Sequence, residues 1–393
     1  MTDFKIYGKD HDAATIEQMR LCMATGSAAG GVLCADGHLG YNHPIGGVVG
    51  YTDHISISGV GFDIACGNKA VRLDVRYDDV ADKISTILAD ISRVISFGVG
   101  RVNDERVDHE LFESDLWQTA DVVDLKSMAA AQLGTVGSGN HYVDLFRDDD
   151  GYVWIGVHFG SRGLGHKITT KYLKAIGAKD NMTDPPALIE AESDMGRAYL
   201  AGLDLGGQYA YVGRDWVVER VRQIIGGAVT FEVHNHHNFC WRERHFGQDM
   251  WIVRKGATPA FPGQYGFVGG SMGDSAVILS GVDGDQSVAS MYSTVHGAGR
   301  IMSRTEARGR FVRDPMTGTK VRQQGRVRHD EWQAWLRDKG VHLIGADLDE
   351  APQAYRRLDE VLAHHAGTVQ IHHTLHPVGV IMAGANEFDP YKD

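Results

Sequence analysis

Glycine is concentrated in four segments of the chain, and this distribution is the strongest constraint on its fold. The segments cover residues 26–67, 134–165, 256–284 and 297–299, and the chain holds 49 glycines in 393 residues. No fixed period relates the segments, which argues against a repeat architecture. Between them lie short apolar runs typical of strands and longer runs with helical spacing. The pattern therefore predicts an α+β fold in which glycine-rich turns join strands and helices.

The periodicity of apolar residues places the individual elements. Strands are predicted at residues 46–51, 70–75, 152–158, 229–234, 250–254, 276–279 and 368–375. Helices are predicted at 80–95, 187–203, 208–225 and 331–339, with Pro185-Pro186 as the start of the second. The chain lacks a Pro/Ser-rich linker, so we expect one large domain over residues 1–393, with a strand-rich core and a helical insertion at about 167–227.

Composition excludes several classes of protein. The sequence lacks an apolar run of about 18 residues, so no membrane span is expected. The first residues lack the apolar stretch of a secretion signal. Four scattered cysteines are too few for a disulfide scaffold and favour a reducing cytoplasm. The formal net charge of −12 argues against general nucleic-acid affinity, although residues 300–330 carry nine Lys and Arg against three Asp and Glu.

The segment Gly59-Val-Gly-Phe-Asp63-Ile-Ala-Cys66-Gly brings a carboxylate and a thiol close together. Taken alone, it could equally be a buried structural cysteine beside a turn aspartate. Three further segments place histidines at predicted strand ends or in glycine-rich turns, at His141, His158 and His237. Oxygen, sulfur and nitrogen donors together predict a site for one or two metal ions, and ligand softness alone favours zinc.

A second segment, His296-Gly-Ala-Gly-Arg300, combines an imidazole with bare backbone and a guanidinium. Imidazole nitrogen can act as a covalent nucleophile, and glycine amides with arginine can bind a phosphate. The alternative is a glycine-rich turn that caps a helix near Ser303. Upstream, Arg254-Lys255-Gly and Gly269-Gly-Ser271-Met-Gly form another cation-plus-glycine pair suited to phosphates. P-loop and Rossmann motifs are absent, as is the Lys-x-Asp-Gly of ordinary polynucleotide ligases.

Taken in order, these segments resemble the RtcB family of RNA-splicing ligases. The matching motifs run from residue 36 to residue 304 in the family's order. They are Asp36-Gly-His38-Leu-Gly, Gly59–Gly67, Gly134-Thr-Val-Gly-Ser-Gly-Asn140-His141, His158-Phe-Gly-Ser-Arg162-Gly-Leu-Gly, His237-Asn238, Arg254-Lys255-Gly-Ala-Thr, Gly270-Ser271-Met-Gly273 and His296-Gly-Ala-Gly-Arg300-Ile-Met-Ser-Arg304.

The resemblance implies an RNA ligase with two Mn²⁺ ions and GTP. It implies that RNA 3′-phosphate or 2′,3′-cyclic phosphate ends are joined to 5′-hydroxyl ends, in tRNA splicing or RNA repair, and that His296 carries a guanylate intermediate. Cys66 would bridge the two ions. His158 and His237 would complete one ion's ligands, and Asp63 and His141 the other's. On this reading manganese replaces the zinc that softness favours.

The resemblance also implies the nucleotide and RNA contacts. The nucleotide would contact Asn140, Asp144, Asn238, Ser271, His296, Gly297, Ala298, Gly299 and Arg300, while Arg162 and Arg304 would bind RNA phosphates. Asp36 and His38 are expected near the metals or the RNA, without a ligand role. His236 could orient the neighbouring ligand. An archease-type activator is a further partner that the resemblance suggests.

The sequence departs from the family's pattern at three positions assigned to the nucleotide-base pocket. Met382 stands where a lysine is usual, Gly269 replaces a proline, and Ala276 replaces a serine. The preference for guanine is therefore open, and two other functions remain. One is a metal-dependent RNA-end phosphoesterase or divergent paralogue without guanylate transfer. The other is a non-catalytic RNA-binding protein, which an intact ligand set disfavours.

Overall fold

The computed structural model describes residues 4–179 and 181–385. Nineteen strands lie within these residues. They are β1 (Lys5–Ile6), β2 (Ala28–His38), β3 (Ile45–Tyr51), β4 (His54–Ser56), β5 (Gly67–Arg76), β6 (Tyr142–Asp148), β7 (Tyr152–Phe159), β8 (Leu188–Glu190), β9 (Val229–His236), β10 (Asn238–His245), β11 (Gln248–Lys255), β12 (Ala257–Pro259), β13 (Tyr265–Val268), β14 (Ala276–Gly281), β15 (Ser293–Val295), β16 (Phe311–Arg313), β17 (Lys320–Arg322), β18 (His342–Ala346) and β19 (Val369–Gly384).

Eleven α-helices and six short 3-10 helices lie within the same residues. The α-helices are α1 (Ala13–Met23), α2 (Ile57–Val60), α3 (Ile84–Val94), α4 (Leu116–Thr119), α5 (Lys126–Gln132), α6 (Arg162–Ala175), α7 (Asp194–Ile225), α8 (Asp285–Ala289), α9 (Arg304–Arg308), α10 (His329–Lys339) and α11 (Leu358–Ala363). The 3-10 helices are Tyr77–Asp79, Ala81–Lys83, Glu110–Glu113, Val123–Leu125, Leu348–Glu350 and Pro352–Ala354. Among the described helices, none has the length and apolar character needed to cross a membrane.

Two sheets form most of the strand core. The larger has the order β13-β14-β19-β6-β7-β5-β9, with β18 beside β19, and the smaller has the order β1-β2-β3-β11-β10. Neighbouring strands in both are antiparallel, except for the parallel pairs β1–β2 and β18–β19. Strands that are distant in the chain are therefore neighbours in space, and strand ends from several parts of the sequence meet at one edge.

The α+β class predicted from the sequence is confirmed, and all seven predicted strands coincide with observed ones. The predicted helix start at Pro185-Pro186 is wrong, because residues 188–190 instead form β8, which pairs with β4. The helices predicted at 187–203 and 208–225 are one helix, α7, whose N-cap is Ser193. Gly206 does not break this helix. It leaves room for Ile64, which a Cβ at 206 would approach to 2.9 Å.

A buried ion pair links β10 to β11 in the smaller sheet. Arg254 is fully buried, and its guanidinium donates to both carboxylate oxygens of Glu243, at 2.7 and 2.9 Å. His245 contacts the same carboxylate at 2.7 Å. Burial raises the pKa of Glu243. Arg254 and His245 together lower this pKa by more than burial raises it, so it lies below the usual value. Arg254 therefore stabilises the sheet, and the expectation that it binds a phosphate is wrong.

Removing this carboxylate should destabilise the fold. Glu243→Gln leaves the Arg254 charge buried without its partner, so we expect a loss of about 3–5 kcal/mol in unfolding free energy at pH 7. The pKa of Glu243 is lower in the folded state than in the unfolded state. Its contribution to the free energy of unfolding is therefore fully present above its unfolded-state pKa of about 4.3, and it is lost as the pH falls through its folded-state pKa. Urea unfolding of wild type and variant should therefore converge in acid.

The control is Glu17→Gln, which removes an exposed ion pair with Arg20. Exposed pairs contribute about 0–1 kcal/mol, so this variant should unfold almost as the wild type does. Equal effects of the two substitutions would contradict the assignment of Glu243.

Candidate metal and nucleotide site

Three neighbouring strands of the larger sheet bring the predicted ligands together. Cys66 directly precedes β5, His158 lies in β7, and His237 directly follows β9. Gly67, the first residue of β5, pairs with the residue after His158 on one side and with the residue before His237 on the other. A Cβ at position 67 would collide with the β9 backbone, so glycine permits this close approach. The register thus places Cys66 between the two histidines.

Cys66 is shared by two groups of donor atoms. Its Sγ lies 3.2 Å from His158 Nε2 and 3.6 Å from His141 Nε2. His141 Nε2 is in turn 2.9 Å from Asp63 Oδ2. One group contains Cys66, His158 and His237, and the other contains Asp63, Cys66 and His141. Within each group the donor atoms all lie within 4.8 Å of one another, a spacing that allows a common metal ion.

The histidines of the first group are neutral. His158 Nδ1–H donates to the Asn140 carbonyl at 2.9 Å, which leaves the Nε2 lone pair facing Cys66. Burial, reinforced by neighbouring histidines, lowers the pKa of His158 to about 3 and the pKa of His237 well below its ordinary value. A metal ion requires neutral imidazole, so these rings need no deprotonation to bind one.

The acidic donors differ from each other in charge. Burial raises the pKa of Asp63, but His141, Cys66 and Arg162 together outweigh it, and the result is a pKa of about 2. Burial raises the pKa of the Cys66 thiol well above its ordinary value, and the Asp63 carboxylate raises it further. Without a metal, Asp63 is thus a carboxylate and Cys66 a thiol.

These residues fit a divalent metal. Thiolate, imidazole and carboxylate groups all bind divalent metals. Carboxylate is also a ligand that suits manganese. His141 Nδ1 and His237 Nδ1 are buried without a hydrogen-bond partner among residues 4–179 and 181–385. Donor groups that share one sulfur could hold two ions, because a thiolate has lone pairs for both.

Arg214, a fully buried residue of α7, supports the loops that carry the ligands. Its guanidinium donates to the carbonyls of Ala65 and Phe159, at 3.0 and 2.6 Å. It also donates to His236 Nδ1 at 2.9 Å, so His236 is not in either donor group. These three acceptors belong to the residues next to the three members of the first group. Ala65 has φ 58°, a left-handed conformation unusual for alanine.

His296 lies against a buried carboxylate at the same site. Asp36 Oδ2 is 2.6 Å from His296 Nδ1 and accepts the backbone N–H of His296 at 3.0 Å. This contact brings the buried carboxylate into electrostatic interaction with the imidazole ring. Burial raises the pKa of Asp36, but His296 lowers it below the ordinary value overall. The ring of His296 is 5.1 Å from that of His237, centroid to centroid, and its Nε2 is the nitrogen remote from Asp36.

One cavity collects most of the residues predicted from the sequence. Fourteen of them line it: Asp63, Cys66, Asn140, Asp144, His158, His237, Asn238, Ser271, His296, Gly297, Ala298, Gly299, Arg300 and Arg304. His141 and Arg162 do not line it. His141 contacts Asp63 and Cys66, and Arg162 Nη2 donates to the Gly98 carbonyl at 3.2 Å.

The residues assigned to the base pocket are only partly in the cavity. Met382 and Gly269 line it, as does Asp144, whose Oδ1 is buried without a hydrogen-bond partner among the described residues. Burial raises the pKa of Asp144 well above the ordinary value. Ala276 does not line the cavity. It is fully buried in an aromatic cluster with Trp154, so its placement in the base pocket was wrong.

The arginines at the rim already have partners. Arg304 Nη1 is 3.0 Å from Asp349 Oδ2 and also pairs with Glu350. Arg300 Nη1 donates to the Tyr355 hydroxyl at 2.8 Å. These contacts fix both guanidinium groups at one side of the cavity.

Comparison with known proteins assigns the chain to a family. Residues 19–383 match the family described as tRNA-splicing ligase RtcB. The chain belongs to the RtcB family. It is 30% identical to the RNA-splicing ligase RtcB of Escherichia coli strain K12, over 87% of each protein. It is 27% identical to the tRNA-splicing ligase RtcB of Thermococcus kodakarensis, over 96% of this chain and 93% of the relative.

A third RtcB relative gives the same picture. The tRNA-splicing ligase RtcB of Archaeoglobus fulgidus is 30% identical, over 88% of this chain and 86% of the relative. The RtcB resemblance inferred from short motifs is thereby confirmed over nearly the whole chain.

Several residues of this RtcB site were not identified from the sequence. Arg214 belongs to no motif, but it lies on the buried face of α7 between Ala210 and Val217. A lone arginine among the apolar positions of a helix indicates a buried polar network, so the sequence pattern could have identified Arg214. Glu350 and Tyr355, which line the cavity, are distant in sequence from every motif.

Proposed function

We propose that this protein is an RNA ligase that uses GTP and Mn²⁺. It joins RNA 3′-phosphate or 2′,3′-cyclic phosphate ends to 5′-hydroxyl ends, in tRNA splicing or RNA repair. The observation that carries the proposal is that His296 shares one cavity with two donor groups built around Cys66. Membership of the RtcB family supports the same reaction.

In this proposal the two donor groups hold two Mn²⁺ ions. Cys66, His158 and His237 hold one ion, and Asp63, Cys66 and His141 hold the other. Bound divalent metal would neutralise phosphate charge and favour pyrophosphate as a leaving group. The protein itself keeps the imidazoles neutral and the carboxylate ionised before binding.

His296 would act as the nucleophile. Its Nε2 forms a bond to the α-phosphorus of GTP, and the bond from that phosphorus to the pyrophosphate oxygen breaks. Water would first open a 2′,3′-cyclic end to a 3′-phosphate by breaking the bond from phosphorus to the 2′ oxygen. The RNA 3′-phosphate then displaces His296 from the guanylate, and the 5′-hydroxyl oxygen finally attacks the 3′-phosphorus with loss of GMP. Asp36 would orient the imidazole and stabilise the positive charge that develops on it.

The remaining cavity residues, together with Arg162 outside the cavity lining, would bind the nucleotide and the RNA. Nucleotide contacts are proposed for Asn140, Asp144, Asn238, Ser271 and residues 297–300, and phosphate contacts of RNA for Arg162 and Arg304. An archease-type activator and a reducing cytoplasmic setting complete the proposal. The four cysteines, all free and buried, are compatible with that setting.

The test is transfer of label from GTP to the protein. After incubation with α-³²P-labelled GTP and Mn²⁺, the wild type should carry an acid-labile label, since phosphoramidate bonds break in acid. His296→Ala should show only background, because it lacks the attacking nitrogen. His376→Ala, a histidine outside the cavity, is the control and should label as the wild type does. Equal labelling of the wild type and His296→Ala would overturn the mechanism.

The base pocket supports a second candidate function. Met382 and the unpartnered Asp144 leave guanine recognition open, which motivates an RNA-end phosphoesterase or a paralogue without guanylate transfer. Such an enzyme would process RNA ends with metal alone. GTP-dependent sealing of 3′-phosphate and 5′-hydroxyl ends would exclude it. Parallel labelling with ATP tests which base the pocket accepts.

A further inference from the structure

A β-hairpin projects from the rim of the cavity. Its first strand, β16, follows α9, which begins at the cavity-lining Arg304, and it pairs with β17. At the base of the hairpin, Arg322 Nη2 lies 2.7 Å from Asp347 Oδ2. Asp347 precedes the 3-10 helix that ends at the cavity-lining Glu350. Both strands of the hairpin are thus attached to the cavity rim.

The hairpin and its flanks carry more positive than negative charge, because residues 300–330 hold nine Lys and Arg against three Asp and Glu. Arg310, Arg313 and Arg326 are exposed, and none forms an ion pair within the described part of the chain. The nearby acids have structural roles. Asp314 accepts two backbone N–H groups of the hairpin turn, and Glu306 completes the capping box of α9. On a chain with a formal charge of −12, this surface is locally basic.

The chemistry of this surface suits a phosphodiester backbone. Guanidinium groups bind phosphate oxygens through charge-assisted hydrogen bonds. Arg310 and Arg313 are three residues apart on extended chain, a span of about 10 Å, and point to opposite faces of the hairpin, so they can contact phosphates on either side of it. An acidic protein surface would also attract arginines. The attachment of the hairpin to the rim of the proposed ligation cavity favours RNA.

We propose that this hairpin, residues 309–326, binds the backbone of the RNA substrate and guides one end into the cavity. The proposal rests on the proposed function, because it assumes that the cavity acts on RNA. It assigns a role to only part of the basic stretch at residues 300–330. Arg300 and Arg304 line the cavity itself and Arg322 is paired with Asp347, so the exposed arginines that remain for the hairpin surface are Arg310, Arg313 and Arg326.

The test compares two triple variants of the full chain that change the net charge equally. The first replaces Arg310, Arg313 and Arg326 by glutamine. The control replaces Arg20, Arg93 and Arg197 by glutamine, which are exposed arginines on other elements. Binding to a labelled oligouridylate of about ten nucleotides with a 3′-phosphate is measured over a range of salt concentrations.

The hairpin variant should bind this RNA at least about tenfold more weakly than the control variant does. Its slope of log affinity against log salt should be smaller by about 2, because each lost phosphate contact contributes about 0.7. Equal affinity and equal slope in the two variants would overturn the proposal.

Labelling by GTP, which requires no RNA, is measured on the same preparations. If no preparation labels but RNA binding still differs, the proposed ligase mechanism fails while the hairpin assignment holds. If all preparations label but RNA binding is equal, only the hairpin assignment fails. Thermal unfolding of both variants verifies that the fold is intact.

Discussion

Replacement of Cys66 by alanine should abolish metal binding at both donor groups. Cys66 is the one residue common to the two groups, so its loss leaves each with two of its three protein ligands. Changes to groups around a metal ligand already cost about 10–100-fold in affinity. We therefore expect the loss of a shared ligand to weaken both sites by more than about 100-fold. Equilibrium dialysis with Mn²⁺ and metal analysis would measure this loss.

Single-group variants provide the matched comparison. His237→Ala removes a ligand from the first group only, and His141→Ala removes one from the second only. Each should lose one ion and keep the other. Cys240→Ala, at a buried cysteine outside both groups, controls for loss of a buried thiol. A Cys66→Ala protein that retains one ion at wild-type affinity would show that the sulfur is not shared.

The thiol proton adds a pH dependence to the same measurement. Because burial and Asp63 raise the pKa of Cys66, metal binding must expel its proton. Affinity should thus rise with pH, by about tenfold per unit while one proton is released. In the Cys66→Ala protein this dependence should disappear from any residual binding.

Replacement of Arg214 by methionine should also weaken the metal site, although Arg214 is not a ligand. Its guanidinium bonds to the residues adjoining Cys66, His158 and His237, and it holds Ala65 in a left-handed conformation. Without these bonds two buried carbonyls lose a donor, and the ligand loops can relax. We expect metal affinity to fall by about 10–100-fold, the range for groups that orient ligands.

Comparison of the two metal sites distinguishes a role of Arg214 in positioning the ligands from a general effect on the stability of the fold. Affinity at the first group should fall more than affinity at the second, since three of the four side-chain hydrogen bonds of Arg214 adjoin members of the first. Arg214→Lys should recover part of the affinity, because an ammonium can still donate to the Ala65 and Phe159 carbonyls. A control is Tyr209→Phe, which removes another buried bond of α7, from its hydroxyl to the Ala129 carbonyl at 2.8 Å. Equal loss at both groups in Arg214→Met and Tyr209→Phe would indicate general destabilisation only.

The sequence was informative where chemistry is encoded in short segments. The donors in the segment from Asp63 to Cys66, and histidines at strand ends, are recognisable by residue type and spacing. The α+β class followed from apolar periodicity, which depends on local sequence. Such features could be predicted because each is contained within a few neighbouring residues.

Other features depend on contacts between distant parts of the chain. Two helices were predicted at 187–203 and 208–225, but they form one helix in which Gly206 accommodates Ile64, which is far away in sequence. Arginine is a residue type that commonly binds phosphate, but Arg254 forms a buried ion pair with Glu243 on the neighbouring strand. Ala276 was assigned to the base pocket by its place in a motif, whereas its side chain packs among aromatic residues. Contacts between residues distant in the chain, and not spacing along the chain, decided each case.

The position of β19 in the larger sheet has a consequence for the synthesis of the protein. β19 lies between β14 and β6 and contributes Met382 to the cavity. On the ribosome it emerges about 220 residues after β6, a delay of roughly 10–45 seconds at ordinary elongation rates. Until then β6 and β14 each expose an unpaired edge that can join another chain. A nascent chain is therefore incomplete as an enzyme and vulnerable to aggregation until β19 has been synthesised and has paired with β6 and β14.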